Sequence, residues 1–166
     1  MFEHVVAGID PGTAATGIAA VGLQGGRPVI LTAETVRTPS GLADPLRLRI
    51  IHSAVAGLIS DHGPSSVAIE RLIWGRNVGS GMGVARASGV VLLAAGQAGL
   101  PVREYAPLEV KMAITGSGGA RKEDVRRALL RLHRIEDVPS EADAADAVAV
   151  AVCDLFRSRM PAEARA

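Results

Sequence analysis

His-Val-Val-Ala-Gly-Ile-Asp-Pro-Gly-Thr-Ala-Ala-Thr-Gly-Ile-Ala-Ala-Val, residues 4–21, is the stretch on which the fold turns. Val5, Val6, Ala7 and Ile9 form a short apolar run rich in β-branched residues, and Asp-Pro-Gly closes it. A buried strand ending in a tight turn is expected, with Asp10 at its C-terminal edge. Thr13 to Val21 reads as a second strand. Leu23-Gln-Gly-Gly-Arg-Pro then makes a hairpin into a third, Val29 to Val36. Asp-Pro-Gly is also ordinary turn chemistry, so Asp10 acquires chemical meaning only if other carboxylates converge on it.

Downstream the pattern recurs. After a turn-rich link, Leu46 to Ser60 is amphipathic at helical spacing through Ile51, Ala54, Val55, Leu58 and Ile59, and its lone His52 has no partner at ligand spacing. Ser66-Val-Ala-Ile-Glu70 is a second apolar strand ending in an acid. A strand, a helix and a strand make a crossover, which lays this strand parallel to its neighbour. If that neighbour is the first strand, Glu70 and Asp10 share one edge.

An irregular segment with the only tryptophan, Trp74, leads into a helix from about Met82 to Ala98. Val84, Ala87, Val91 and Ala94 suit one face for the sheet; Met82, Arg86, Gly89 and Leu93 form the other. That second face suits either a second copy of the chain or ordinary intrachain packing. Leu100 to Pro107 holds a short fifth strand, Leu108 to Thr115 a helix carrying Lys111, and Gly116-Ser-Gly-Gly-Ala a loop without the lysine spacing of a phosphate loop. A basic helix and a last helix from Ser140 follow.

Composition narrows the classes. With 166 residues, 48% hydrophobic and 21% charged, the chain suits one globular domain, expected over 1–160 with a flexible tail at 161–166. A net charge of +1 argues against coating duplex DNA by bulk electrostatics, although Arg121, Lys122, Arg126, Arg127, Arg131 and Arg134 are concentrated in one segment. The single Cys153 excludes a disulfide framework. The opening residues run straight into strand without a signal peptide, and Val84 to Leu100 carries Arg86, Gln97 and several glycines, so a cytoplasmic protein without a membrane span is expected.

Asp143 and Asp146 lie three apart, on one face of the last helix. Asp143 has a competing explanation, because Ser140-x-x-Asp143 resembles a capping box. Asp146 has none. Its surroundings are almost all apolar and no basic residue lies at helical spacing, so it needs a cationic partner, which a metal would supply. Two strand-end acids and a helical pair, without thiolates or a histidine cluster, make an all-oxygen site suited to Mg2+ or Mn2+. Four like charges need such ions, and two-metal phosphoryl transfer is the chemistry they serve best.

The succession of elements resembles the ribonuclease H-like fold. Within it, Gly8-Ile-Asp-Pro-Gly-Thr13, Val67-Ala-Ile-Glu70, Arg76-Asn77, Glu104-Tyr-Ala-Pro-Leu-Glu-Val-Lys111 and Ala142-Asp-Ala-Ala-Asp-Ala147 resemble the RuvC family of Holliday junction resolvases, in order and over nearly the whole chain. The resemblance implies an α/β fold with a five-stranded mixed sheet in the order 3-2-1-4-5, flanked by helices. It implies a homodimer, joined along the helix near Met82 to Ala98, that makes paired symmetric nicks in four-way junction DNA, leaving 5'-phosphate and 3'-hydroxyl ends. It implies Asp10, Glu70, Asp143 and Asp146 as ligands of two Mg2+ or Mn2+ ions, with Lys111 and Lys122 near the scissile phosphate. Ile73, Trp74, Arg76, Asn77 and Arg121 are expected at the DNA, and the branch-migration proteins RuvA and RuvB as partners. One departure stands out: Ile73 occupies a position where the family usually carries an aromatic. The adjacent Trp74 either supplies that stacking platform or packs on its own loop.

Two other classes compete. Asp-Pro-Gly-Thr-x-x-Thr-Gly resembles the first phosphate loop of actin-like kinases and ATPases, which need two such domains and a second loop. A non-catalytic junction-binding protein is the other, and four anions near phosphates speak against it.

Overall fold

The computed structural model describes residues 1–72 and 78–158, with side chains for all of these except 78–80. Ile73, Trp74, Arg76 and Asn77 therefore lie outside the described residues, as does the tail at 161–166.

Strands β1 (His4–Asp10), β2 (Ala15–Gln24), β3 (Arg27–Arg37), β4 (Ser66–Glu70) and β5 (Val102–Tyr105) form one sheet in the order β3-β2-β1-β4-β5. The first three are antiparallel and joined in sequence, whereas β4 lies parallel to both β1 and β5. Gly25 and Gly26 make the two-residue hairpin between β2 and β3, both at positive φ (55° and 77°), as a turn matched to the strand twist requires. The sheet is therefore the mixed five-stranded one expected, in the expected order.

Alternation along the strands sorts the core into two layers. Ala7, Ile9, Ile18, Ala20, Val67 and Ile69 pack with helices α1 (Asp44–His62) and α2 (Val78–Gln97). Val6, Ala19, Val21 and Ala68 face α3 (Pro107–Thr115), α4 (Lys122–Arg131) and α5 (Ala142–Ser158). α5 presses directly on the sheet, because β1 and β2 present glycines to it. A Cβ at Gly8 would collide with the Ala147 carbonyl and the Ala151 side chain, and one at Gly17 with the Asp143 carbonyl. Gly17 is also the register partner of Asp10. The same close approach thus brings the N-terminal half of α5 to the edge where β1 ends.

Several boundaries differ from the sequence reading. α1 begins at Asp44 with Pro45 in its first turn, where the missing N–H costs nothing, and ends on Gly63 in the left-handed region. α2 begins at Val78, four residues before Met82, despite a Gly-Ser-Gly start. A side chain at Gly83 would strike Thr13, so glycine there serves close packing against the turn after β1. α5 begins at Ala142, and its first turn closes with the Ala145 N–H on the Glu141 carbonyl at 3.0 Å. Glu141, not Ser140, is the cap. The capping-box account of Asp143 is therefore set aside, because the box would place the cap one residue earlier. Among the described residues no helix is long and apolar enough to cross a membrane. Cys153 is buried in α5, and burial pushes its thiol up to about 12.

Candidate active site

The parallel register Val6↔Ser66 through Ile9↔Ile69 carries both strands to the same edge, so the next residues, Asp10 and Glu70, end side by side. Asp10 lies two residues past Gly8, and Glu70 two past Ala68, so both carboxylates share the sheet face that α5 covers. The turn after Asp10 is pinned by threonine hydroxyls. Thr16 Oγ1 donates to the Gly12 carbonyl at 2.5 Å, and Thr38 Oγ1 donates to the Thr13 carbonyl at 2.5 Å. Arg47 Nε in turn donates to Thr38 Oγ1 at 2.8 Å, tying α1 to this turn.

Asp10, Glu70 and Asp146 line one cavity of about 290 Å3, together with Lys111 of α3 and Lys122 of α4. Pro107, Val110, Val125 and Ala149 supply its apolar walls. Asp143 is not among the lining residues, although its charge reaches both Asp10 and Lys122. Arg121 is exposed next to Lys122, and its backbone N–H is capped by Asp124 Oδ2 at 3.1 Å.

The electrostatics follow from crowding. Burial, then the charges of Glu70 and Asp146, raise Asp10 to about 7, with Asp143 adding to them and Lys122 opposing. Burial and Asp146 likewise raise Glu70, against Lys122 and Lys111. Lys122 Nζ donates to Asp146 Oδ2, and this bond holds the ammonium's pKa above its ordinary value. The cationic partner that Asp146 requires is therefore present in the protein itself, 24 residues away in sequence on a different helix. Helical spacing could not reveal it.

Among the described residues, the Asp10 and Glu70 carboxylates accept no hydrogen bond and form no ion pair, and no three Asp, Glu, His or Cys side chains are already gathered at ligand distance of one point. Unpaired carboxylate oxygens beside an exchangeable ammonium fit a hard divalent cation, which takes oxygen donors and offsets the repulsion that raises Asp10.

Sequence reading missed two polar hubs. Asp154 is fully buried in α5 and collects Tyr105, Ser66 and Arg103, while Glu109 joins α3 to Arg71 and Arg157. An acid inside an apolar helical run was the available signal for Asp154. His52, expected to be structural, bridges α1 to α2 through Gln97 at 2.8 Å.

A β3-β2-β1-β4-β5 sheet with acids gathered at the ends of β1 and β4 is the ribonuclease H-like fold. The family model for crossover junction endodeoxyribonuclease RuvC matches residues 6–154. The chain is similar to the RuvC of Syntrophomonas wolfei, 41% identical over 155 residues that cover 93% of this chain and 90% of that one. It is similar to the RuvC of Salinispora arenicola, 44% identical over 153 residues that cover 92% of this chain and 87% of that one. Its backbone matches Thermus thermophilus RuvC, solved in complex with a Holliday junction substrate, with a TM-score of 0.89 at 34% identity, covering 95% of this chain and 96% of that one. The chain belongs to the RuvC family of crossover junction endodeoxyribonucleases.

Proposed function

We propose that this chain resolves four-way DNA junctions by paired symmetric nicks, hydrolysing one phosphodiester per active site to leave a 5'-phosphate and a 3'-hydroxyl. The observation that carries the proposal is the meeting of Asp10, Glu70 and Asp146 with Lys111 and Lys122 in one cavity at the C-terminal edge of β1 and β4. Asp10, Glu70 and Asp146, with Asp143 beside them, would hold two Mg2+ or Mn2+ ions. Bound there, the ions make a water more acidic and stabilise the departing oxygen.

The chain's own groups do the rest. Lys122 rests on Asp146 in the free protein and would exchange that oxygen for a phosphate oxygen when DNA enters the cavity. Lys111 supplies a second positive charge at the rim, where charge develops on the phosphoryl oxygens. Val110, Val125 and Ala149 form the apolar wall beside which both contacts are made.

Paired nicks require two such sites. The exposed Met82, Leu92 and Leu93 of α2 form an apolar face suited to a second copy. Ile73, Trp74, Arg76, Asn77 and Arg121 are proposed to meet the DNA, RuvA and RuvB to act as partners, and a single nuclease domain over 1–160 to work in the cytoplasm ahead of a short tail at 161–166.

A synthetic four-way junction, run on native and denaturing gels with Mg2+, Mn2+ or chelator, tests the proposal with the parent chain and Asp146→Asn. Paired nicks that need metal and vanish in the variant are expected. Binding without nicking under either metal would support a non-catalytic junction-binding protein instead.

A further inference from the structure

Glu109 lies outside the carboxylate cavity, yet its side chain joins three of the elements around it. Oε2 accepts the Ala106 backbone N–H at 2.8 Å and so closes the N-terminus of α3. Oε1 accepts Arg157 Nη1 at 2.9 Å, from the last turn of α5. Arg71, the residue after Glu70, places Nη2 at 3.9 Å from Oε2, and its backbone N–H donates to the Tyr105 carbonyl at 2.8 Å. One carboxylate thus ties the start of α3 to the ends of β4 and α5.

α3 has nine residues, too few to hold a position by its own hydrogen bonds. Val110 and Ile114 bury into the core and set its depth. Apolar contact is non-directional, however, and does not fix how far the helix slides or turns about its axis. At its C-terminal end the Ile114 carbonyl meets His133 Nε2 at 2.8 Å; among the described residues the side-chain contacts that hold its N-terminal end are those of Glu109. Lys111 follows two residues later, lines the cavity and acts on Glu70 through its charge. A shift of about 1 Å at the start of the helix carries the ammonium with it, enough to spoil an oriented contact.

We propose that Glu109 is a positioning residue, whose clamp on the Ala106 N–H, Arg157 and Arg71 fixes α3 so that the Lys111 ammonium faces the carboxylate cavity beside Glu70. The inference rests on the nuclease reading above for its kinetic consequence, and on geometry alone for its structural one.

Two variants separate the parts of the clamp. Glu109→Gln retains an acceptor for the Ala106 N–H and loses both ion pairs; Glu109→Ala loses everything. At saturating four-way junction and metal, single-turnover nicking is expected to fall about threefold in Glu109→Gln and about tenfold in Glu109→Ala, with junction affinity within about twofold of the parent. In a Lys111→Ala background, Glu109→Ala is expected to cost nothing further, because its effect runs through Lys111. Multiplicative losses in the double variant, or an unchanged rate, overturn the inference.

A readout without activity is also available, because Lys111 and Lys122 are the only lysines in the chain. Reductive 13C-methylation of the metal-free protein gives one side-chain dimethylamine signal for each, assigned with Lys111→Arg. The Lys111 signal is expected to move in Glu109→Ala and the Lys122 signal to stay. If Glu109→Ala does not fold, Glu109→Gln carries the same measurements. A parent chain that fails to nick refutes the nuclease reading while the Lys111 signal still decides the positioning; a Lys111 signal that stays in place refutes the positioning alone.

Discussion

Removing the Asp154 carboxylate should destabilise the protein by an amount the structure allows to be worked out. Asp154 is fully buried. Its Oδ1 accepts the Tyr105 hydroxyl at 2.6 Å and Arg103 Nη1 at 3.1 Å; its Oδ2 accepts the Ser66 hydroxyl at 3.0 Å and the same Nη1 at 3.0 Å. In Asp154→Ala the Arg103 side chain, 42% exposed, turns to water and loses little. Tyr105 and Ser66 are buried and cannot do so. Each donor left without an acceptor costs about 1 to 3 kcal/mol, which with the lost charge-assisted contacts gives about 3 to 5 kcal/mol in total. For a domain of this size that corresponds to a fall in Tm of about 10 °C. Urea unfolding of the metal-free protein, with the midpoint read at unchanged slope, measures it directly. Tyr105→Phe should cost about 1 kcal/mol in the parent and nothing in Asp154→Ala, since its partner is already gone. A loss below about 0.5 kcal/mol in Asp154→Ala, or full additivity with Tyr105→Phe, would refute the reasoning, because both results would mean that these donors find other partners.

Asp10 gives a pH dependence of unusual sign for an aspartate. Its native pKa is raised to about 7, so between about pH 4 and about pH 7 the metal-free native state keeps a proton the unfolded chain has released, and stability falls as pH rises. Asp10→Asn should therefore match the parent below about pH 4 and exceed it by at most about 4 kcal/mol at about pH 8, as denaturant melts across pH would show. Gly8→Ala should drive α5 off β1, lowering stability by about 2 kcal/mol or more and abolishing nicking even where the protein remains folded by circular dichroism. Leu93→Asp, on the exposed face of α2, should leave the protomer's melting within about 0.5 kcal/mol while light scattering shows monomers and junction cleavage loses its pairing.

The acids at the strand ends were legible because their placement follows from local rules. Each closes an apolar strand, and a helical crossover brings parallel strands into register, so Asp10 and Glu70 share an edge without any long-range information. Asp146 was legible as an acid in an apolar helix that needs a partner; the partner was not, because Lys122 belongs to a helix whose docking depends on the whole core. The same argument applied eight residues later would have found Asp154, but it would have chosen the wrong base. Arg157 stands one turn away at helical spacing, yet the structure gives Arg157 to Glu109 and Arg103 to Asp154. The role of Gly8 and Gly17 appears only when α5 lies across them.

Two of the chain's eighteen basic residues are lysines, and both line the acidic cavity; every other cation is an arginine. The choice has a physical reason. Guanidinium presents its donors in one rigid plane, which suits lasting ties such as Arg103, whose Nη1 is shared between both Asp154 oxygens. An ammonium is compact and rotatable, and it exchanges one oxygen for another without reorienting a plane. At Asp146 that exchange is what the proposed site needs, since a divalent cation held by Asp146 would compete with Lys122 for its carboxylate. An arginine at 122 would hold Asp146 more firmly and leave it less available to metal. Lys122→Arg should therefore preserve charge and fold yet weaken Mn2+ binding to the free protein, measured by calorimetry, and an unchanged affinity would show that the ammonium is not the group the metal displaces.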